Sequence, residues 1–264
     1  MMESVISKDG TSIAFDRYGD GPALILVGGA TVTRGYQTAL ATVLGEHFTV
    51  YSYDRRGRGD SGDTLPYAVE REIEDLEAMI AAAGRSASVF GHSSGAVLSL
   101  RAAAHGLAIP KLAVYEPPFI VDGSRPPVPT DYVEHLDSLV ATNRREDALV
   151  YFMTVAVGIP EEYVAQMRQD PMFFSSTNVA HTIAYDGRIL GETMFGKPLA
   201  DEPWSSIKVP TLVLDGSESP DWKHAGSQAL MSKLPNATYR SLAGQGQGPA
   251  DDVLAPVLVK FLAG

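Results

Sequence analysis

The stretch Ala87-Ser88-Val89-Phe90-Gly91-His92-Ser93-Ser94-Gly95-Ala96-Val97-Leu98-Ser99-Leu100 decides how this chain is read. Ala87 to Phe90 reads as a short strand, and the small residues from Ala96 to His105 predict a helix. Between them stands Gly91-His92-Ser93-Ser94-Gly95, a G-x-S-x-G pentapeptide. At a strand-to-helix turn this pattern holds a serine hydroxyl at the sheet's C-terminal edge, and its glycines let the turn tighten without clashes. The helix that follows points the positive end of its dipole at the same place. Ser93 is therefore the candidate nucleophile.

Upstream, Ser4 to Lys8 and Thr11 to Tyr18 flank Asp9-Gly10 and predict an antiparallel hairpin. Ala23 to Val27 and Phe48 to Tyr53 are continuous apolar runs, as expected of strands buried on both faces. Val69, Ile73, Leu76 and Ile80 fall at helical spacing, which predicts a crossover helix with Glu70, Glu72, Glu74 and Asp75 on its other faces. Downstream, Lys111 to Tyr115, Pro210 to Leu214 and Ala237 to Leu242 supply three more strands, and Val253 to Leu262 a closing helix. The expected fold is α/β: a mostly parallel eight-stranded sheet with helices on both faces.

Residues 119–206 break the alternation. A stiff linker, Gly123-Ser124-Arg125-Pro126-Pro127-Val128-Pro129, leads into helical patterns at Val133 to Val140, Glu146 to Val157 and Glu161 to Met167. This segment is expected to be a helical cap inserted into a core made of residues 1–118 and 207–264.

The 264 residues carry a formal net charge of −11, which disfavours nucleic acid and anionic membrane surfaces as partners. The expected partner is a small molecule, with the chain a monomer or homodimer. There is no cysteine, hence no disulfide or thiolate site. No metal or cofactor is expected, since ligand spacings and a phosphate-binding loop are both missing. The first residues lack a signal-peptide apolar region and no run is long enough to span a bilayer, so the cytoplasm is the expected location.

Two further segments accompany the serine turn: Leu26-Val27-Gly28-Gly29-Ala30 after one buried strand, and Tyr53-Asp54-Arg55-Arg56-Gly57-Arg58-Gly59-Asp60-Ser61 after the next. With these the chain resembles the α/β-hydrolase superfamily, in particular its bacterial esterase, perhydrolase and lactonase-like branch, over nearly its whole length. The resemblance implies an oxyanion hole built from the N–H groups of Ala30 and Ser94, converging beside Ser93. It also implies an acid three residues after the glycine that ends a late strand, and a histidine before the closing helix. The chain departs at both places. Gly216-Ser217-Glu218-Ser219 puts Ser219 at the acid position, and Gly244-Gln245-Gly246-Gln247 puts Gln247 at the histidine position.

Glu116, at the end of the strand after the nucleophile helix, is the expected surrogate acid within reach of Gln247 directly or through one water; Glu218 and Asp221 are the alternatives. A carboxamide has no titration near neutrality and cannot take the serine proton. Of the six histidines, His47, His105 and His135 read as surface residues. His92 abuts the serine, while His181 and His224 are within conceivable reach of the site. Phe152 and other cap aromatics and methionines read chiefly as cap core, some of them roofing a pocket above Ser93. Gly29, His92, Phe152 and His181 are the substrate-binding candidates.

Three functions fit these residues: a serine hydrolase of a small ester, lactone or thioester with a degenerate triad; a lyase, isomerase or cyclase that uses the oxyanion hole without an acyl-enzyme; or a pocket that binds without turnover.

Overall fold

The computed structural model describes residues 2–264. β1 (Glu3–Ile6) and β2 (Ser12–Tyr18) form the antiparallel hairpin, turning through Gly10 at φ +88°. β2 pairs antiparallel with β4 (Thr49–Tyr53). The remaining pairings are parallel and join β3 (Ala23–Val27), β4, β5 (Ser88–His92), β6 (Leu112–Tyr115), β7 (Thr211–Gly216) and β8 (Ala237–Leu242). The order across the eight-stranded sheet is β1-β2-β4-β3-β5-β6-β7-β8. The turn after β5 therefore lies at the centre of the sheet's C-terminal edge, next to the ends of β3 and β6.

Helices α1 (Thr38–Leu44), α2 (Val69–Ala82) and α3 (Ser94–Ala104) connect the central parallel strands. Between β6 and β7 come α4 (Tyr132–Ala141), α5 (Arg145–Tyr151), α6 (Glu161–Met167), α7 (Pro171–Asn178) and α8 (Ile183–Leu190). Helices α9 (Asp221–Lys233) and α10 (Asp251–Leu262) flank β8. None of these helices is long and apolar enough to cross a membrane.

The strand period of two sorts the core. Leu24 and Leu26 of β3 pack with Leu40 and Leu44 of α1 and with Leu254 and Leu258 of α10. Their neighbours Ile25 and Val27 pack on the opposite face with Leu76 and Ile80 of α2 and Val97 and Leu100 of α3. Each of these leucines, buried, contributes roughly 1.5–3 kcal/mol relative to exposure. Leu136, Leu149, Ile183 and Ile189 of the inserted helices join the α2/α3 side, so the insertion shares the core of the sheet.

Two expectations need correction. Glu72 and Asp75 of α2 are 2% and 1% exposed, although the helical pattern set them on the polar faces. They pair with Arg55 and Arg56 from the turn after β4, which a polarity pattern along one helix cannot foresee. The helix expected from Glu146 to Val157 also changes character: after Tyr151 it widens into a π-turn at Phe152–Val157, closed by Gly158 at φ +86°. Such wide turns occur frequently at functional sites. Helices α1, α7, α8 and α9 fall where no helical pattern is read from the sequence.

Candidate active site

Ser93 lies between β5 and α3 at φ 55° and ψ −123°. An L-residue held there costs on the order of 1–3 kcal/mol, so its surroundings must enforce the turn. Its N–H donates to the Tyr115 carbonyl at 2.9 Å. Close backbone approach does the rest: a β-carbon on Gly91 would lie 2.6 Å from the Gly95 oxygen, and one on Gly95 only 2.3 Å from the Val27 oxygen. Ser93 opens on a narrow cavity of about 30 Å³, which Ala30, Ser94, Phe152 and Gln247 also line. By the measure of a water-sized sphere that is room for about two waters. Phe152 and Val157 enter this wall from the π-turn. Gly29 sits behind the serine, where a β-carbon would come within 3.1 Å of Ser93 Cβ and 3.2 Å of the His92 oxygen.

A buried ionic cluster braces this turn. Arg55 donates from Nε and Nη2 to the two carboxylate oxygens of Glu72, at 2.7 and 2.8 Å, and from Nη1 to Oδ1 of Asp186 at 2.7 Å. Arg58 donates from Nη2 to Oδ2 of Asp186 at 2.7 Å, from Nε to the Thr182 hydroxyl at 3.0 Å, and from Nη1 to the Gly29 carbonyl at 2.5 Å. The Ser94 hydroxyl donates to the same Asp186 carboxylate at 2.7 Å, which ties α3 to α8. Burial pushes the Asp186 carboxyl up, but Arg58 and Arg55 outweigh it and hold the group below its ordinary range.

One consequence concerns the amides. The Gly29 carbonyl and the Ala30 N–H belong to one trans peptide and point in opposite directions. With the carbonyl turned to Arg58, the Ala30 N–H faces the other way. Among the described residues no acceptor takes the Ala30 N–H or the Ser94 N–H, the latter being the first of α3 and without an intrahelical partner.

Glu116 follows β6 at φ 46° and is fully buried. Its Oε1 accepts from the Gly216 N–H at 3.0 Å and from the Ser219 hydroxyl, while Oε2 stands 3.6 Å from Nζ of Lys223. The carboxylate thus reaches the acid position held by Ser219 from the neighbouring strand end. Gln247 is not among its hydrogen-bond partners.

Gln247 is an exposed residue on the cavity rim. Its loop is pinned from both sides: the Tyr115 hydroxyl donates to the Gly246 carbonyl at 2.5 Å, and Nε2 of His92 donates to the Gln247 carbonyl at 2.8 Å. Burial, reinforced by Lys223, lowers the His92 pKa and keeps its ring neutral.

The expectations for His92 and His181 are corrected here, for neither lines the Ser93 cavity. The strand period sends His92 to the side of Phe90, into a separate hollow shared with Gly248 and Pro249. His181 belongs to the short turn Ala180–Thr182 between α7 and α8, where Thr182 and not the histidine meets Arg58. His224 is bound to Asp215 at 2.9 Å on α9 and likewise does not line the cavity.

The residues that pattern reading missed are Arg55, Arg58, Asp186 and Lys223. The arginines had a signal, three of them in one turn after a buried strand. Lys223 had none: it lies in the first turn of α9, 2% exposed, and lines the same cavity as Ser93.

The family model of the Alpha/beta hydrolase family matches residues 24–257. An α/β hydrolase from Sphaerobacter thermophilus is 55% identical and superposes with a TM-score of 0.93, covering 98% of this chain and 100% of its own. The enol-lactonase from Burkholderia xenovorans LB400 is 20% identical with a TM-score of 0.74, covering 99% and 100%, and carries likeness of fold alone. The N-formylmaleamate deformylase of Pseudomonas putida KT2440 is 39% identical over 128 residues, which are 46% of this chain and 47% of that protein. The chain spans between a third and about half the length of the curated relatives it matches.

Proposed function

The chain belongs to the α/β-hydrolase family, and on that premise we propose that it hydrolyses a small, apolar carbonyl substrate, an ester, lactone or thioester, with Ser93 as nucleophile. The observation that carries this reading is Ser93 in its strained turn on the same cavity as Ala30, whose N–H is aimed by the Arg58 bond to Gly29. In the proposed reaction Ser93 Oγ adds to the carbonyl carbon and the N–H groups of Ala30 and Ser94 take the oxyanion. One such donor is worth roughly 10²–10³ in kcat.

Phe152 and the residues of α4 and α8 around it pack the acyl group, so residues 119–206 act as the lid. A cavity of about 30 Å³ favours a short acyl chain. Gln247 orients the substrate or leaving group by hydrogen bonding and does not take a proton. One partly matching relative is named a deformylase, which agrees with hydrolysis at a carbonyl group and leaves the substrate to be found.

The test is a burst experiment with p-nitrophenyl acetate. About one equivalent of p-nitrophenol is expected before steady turnover, with an acetyl group on Ser93 by peptide mass spectrometry and neither signal in Ser93→Ala. Turnover of a carbonyl substrate that survives in Ser93→Ala would replace this reading with a lyase or isomerase that uses only the oxyanion hole.

A further inference from the structure

The site contains a nucleophile and no histidine on its cavity, so a proton acceptor has to come from elsewhere. Three ionisable side chains line the cavity: Tyr132, Asp186 and Lys223. Burial raises the Tyr132 phenol, which stays protonated. Asp186 is committed to Arg55, Arg58 and the Ser94 hydroxyl. That leaves Lys223.

We propose that Lys223 is the general base for Ser93 and that Glu116 is the positioning residue which holds and tunes it. This rests on the reading of Ser93 as nucleophile. The Lys223 side chain is 3% exposed and has one carboxylate neighbour, Glu116, whose Oε2 lies 3.6 Å away and has no hydrogen-bond partner among the described residues. At that distance the ammonium is attracted without being locked in a hydrogen bond. Its Nζ lies over the Trp222 ring, 4.7 Å from the centroid.

The charged and titratable groups that face Lys223 come from every side. Glu116 stands at the end of β6 and Arg125 comes from the linker, Asp186 of α8 lines the same cavity, and His92, turned into its own hollow, feels Lys223 only as a nearby charge. Burial lowers the ammonium pKa most, Glu116 opposes it and Arg125 adds to the lowering, with the result at about 8. At pH 7 about one molecule in ten then carries the free amine.

In the acylation step the Nζ lone pair takes the Ser93 hydroxyl proton while Oγ forms its bond to the carbonyl carbon. The carbonyl π pair moves onto oxygen, between the N–H groups of Ala30 and Ser94. Collapse of the adduct breaks the bond to the leaving group, which receives the proton from the Lys223 ammonium. Water then gives its proton to Nζ as it attacks the acyl carbon, and Oγ departs with that proton. The sum is substrate plus water to acid plus alcohol or thiol, and the enzyme is restored.

The experiment measures the rate of Ser93 labelling by a fluorophosphonate from pH 5.5 to 10, with Ser93→Ala as blank. In the wild type the rate is expected to rise about tenfold per pH unit and level off near pH 8. Glu116→Gln removes the charge that favours the ammonium, so the midpoint moves to lower pH; a purely structural ion pair would not move it. Lys223→Arg keeps a charge that cannot be lost, and Lys223→Met removes it. Both are expected to slow labelling at pH 9 by about 10²-fold or more. If Lys223→Met fails to fold, the midpoint shift in Glu116→Gln and the loss in Lys223→Arg still decide. Labelling confined to Ser93 whose rate is within threefold of wild type in the Lys223 variants, with an unmoved midpoint in Glu116→Gln, overturns the base assignment and leaves the serine-hydrolase reading standing. No labelling of Ser93 at any pH overturns both.

Discussion

Nη1 of Arg58 donates to the carbonyl of Gly29 at 2.5 Å, and the N–H on the far side of that peptide is the one proposed to receive the oxyanion. A buried guanidinium that also pairs with Asp186 is a rigid anchor, since its planar fork has few ways to relax. Arg58→Met frees the Gly29 carbonyl and lets the Ala30 N–H swing. The expected outcome is a fall in kcat of about tenfold or more with KM little changed, the mark of an interaction made mainly in the transition state. Steady-state kinetics on a short-chain ester check it, with thermal melts run in parallel to separate the effect from unfolding.

Asp186 is the counterpart from the inserted helices. Asp186→Asn leaves Arg55 with one carboxylate and Arg58 with none, and breaking buried pairs of this kind costs roughly 3–5 kcal/mol. Because its folded pKa is held below the ordinary value, the stability it confers is complete above the unfolded carboxyl pKa of about 4 and disappears as pH falls through the folded one. Denaturant melts at pH 7 and pH 3 should therefore show a smaller gap between wild type and Asp186→Asn at the lower pH. Equal gaps would mean the carboxylate is not what the arginines hold.

These two sites mark the limit of what could be read along the chain. The turn from Gly91 to Gly95 and the alternation of Leu24, Ile25, Leu26 and Val27 were legible because turn sterics and the strand period act over a few residues. The Arg55–Asp186 and Arg58–Asp186 pairs join positions 131 and 128 apart, and only the finished fold brings them together. Lys223 stands between Trp222 and His224 in a stretch that carries no local pattern, and only the fold sets it beside Glu116 and the cavity. His92 faces away for a local reason: its neighbour Ser93 leaves the strand geometry, whereas His92 still obeys the strand period.

Gly29 offers a purely steric test. A β-carbon there would stand 3.1 Å from Ser93 Cβ and 3.2 Å from the His92 carbonyl oxygen, closer than either can accommodate without movement. Gly29→Ala is expected to displace the serine by a few tenths of an ångström and lower kcat/KM about tenfold or more, since small misplacements of reacting atoms are costly. The backbone at Gly29 lies outside the left-handed region, so the melting temperature should move by only a few degrees. A large loss of stability with full activity per folded molecule would contradict this account.

The last prediction concerns Gln247. Its loop is fixed by the Tyr115 hydroxyl on Gly246 and by His92 on the Gln247 carbonyl, both through backbone atoms, so the position survives a change of side chain. Gln247→His then puts an imidazole on the rim of the cavity that Ser93 lines, with an ordinary pKa near 6.5 where the carboxamide had no titration. At pH 7 most molecules would hold a neutral base, against about one in ten if Lys223, at about 8, serves alone. The expected outcome is a rise of about tenfold in kcat/KM for p-nitrophenyl acetate, equivalent to about 1.4 kcal/mol of transition-state stabilisation. The rising limb of the pH profile should move from near 8 towards 6.5. Two bases serving one proton are not additive, so Lys223→Met should cost much less in the Gln247→His background than in the wild type. If Gln247→His leaves ester hydrolysis unchanged while weakening turnover of the native substrate, the carboxamide is itself a working group. The site would then have been built around Ser93, Lys223 and Gln247 together, with no vacancy for a histidine to fill.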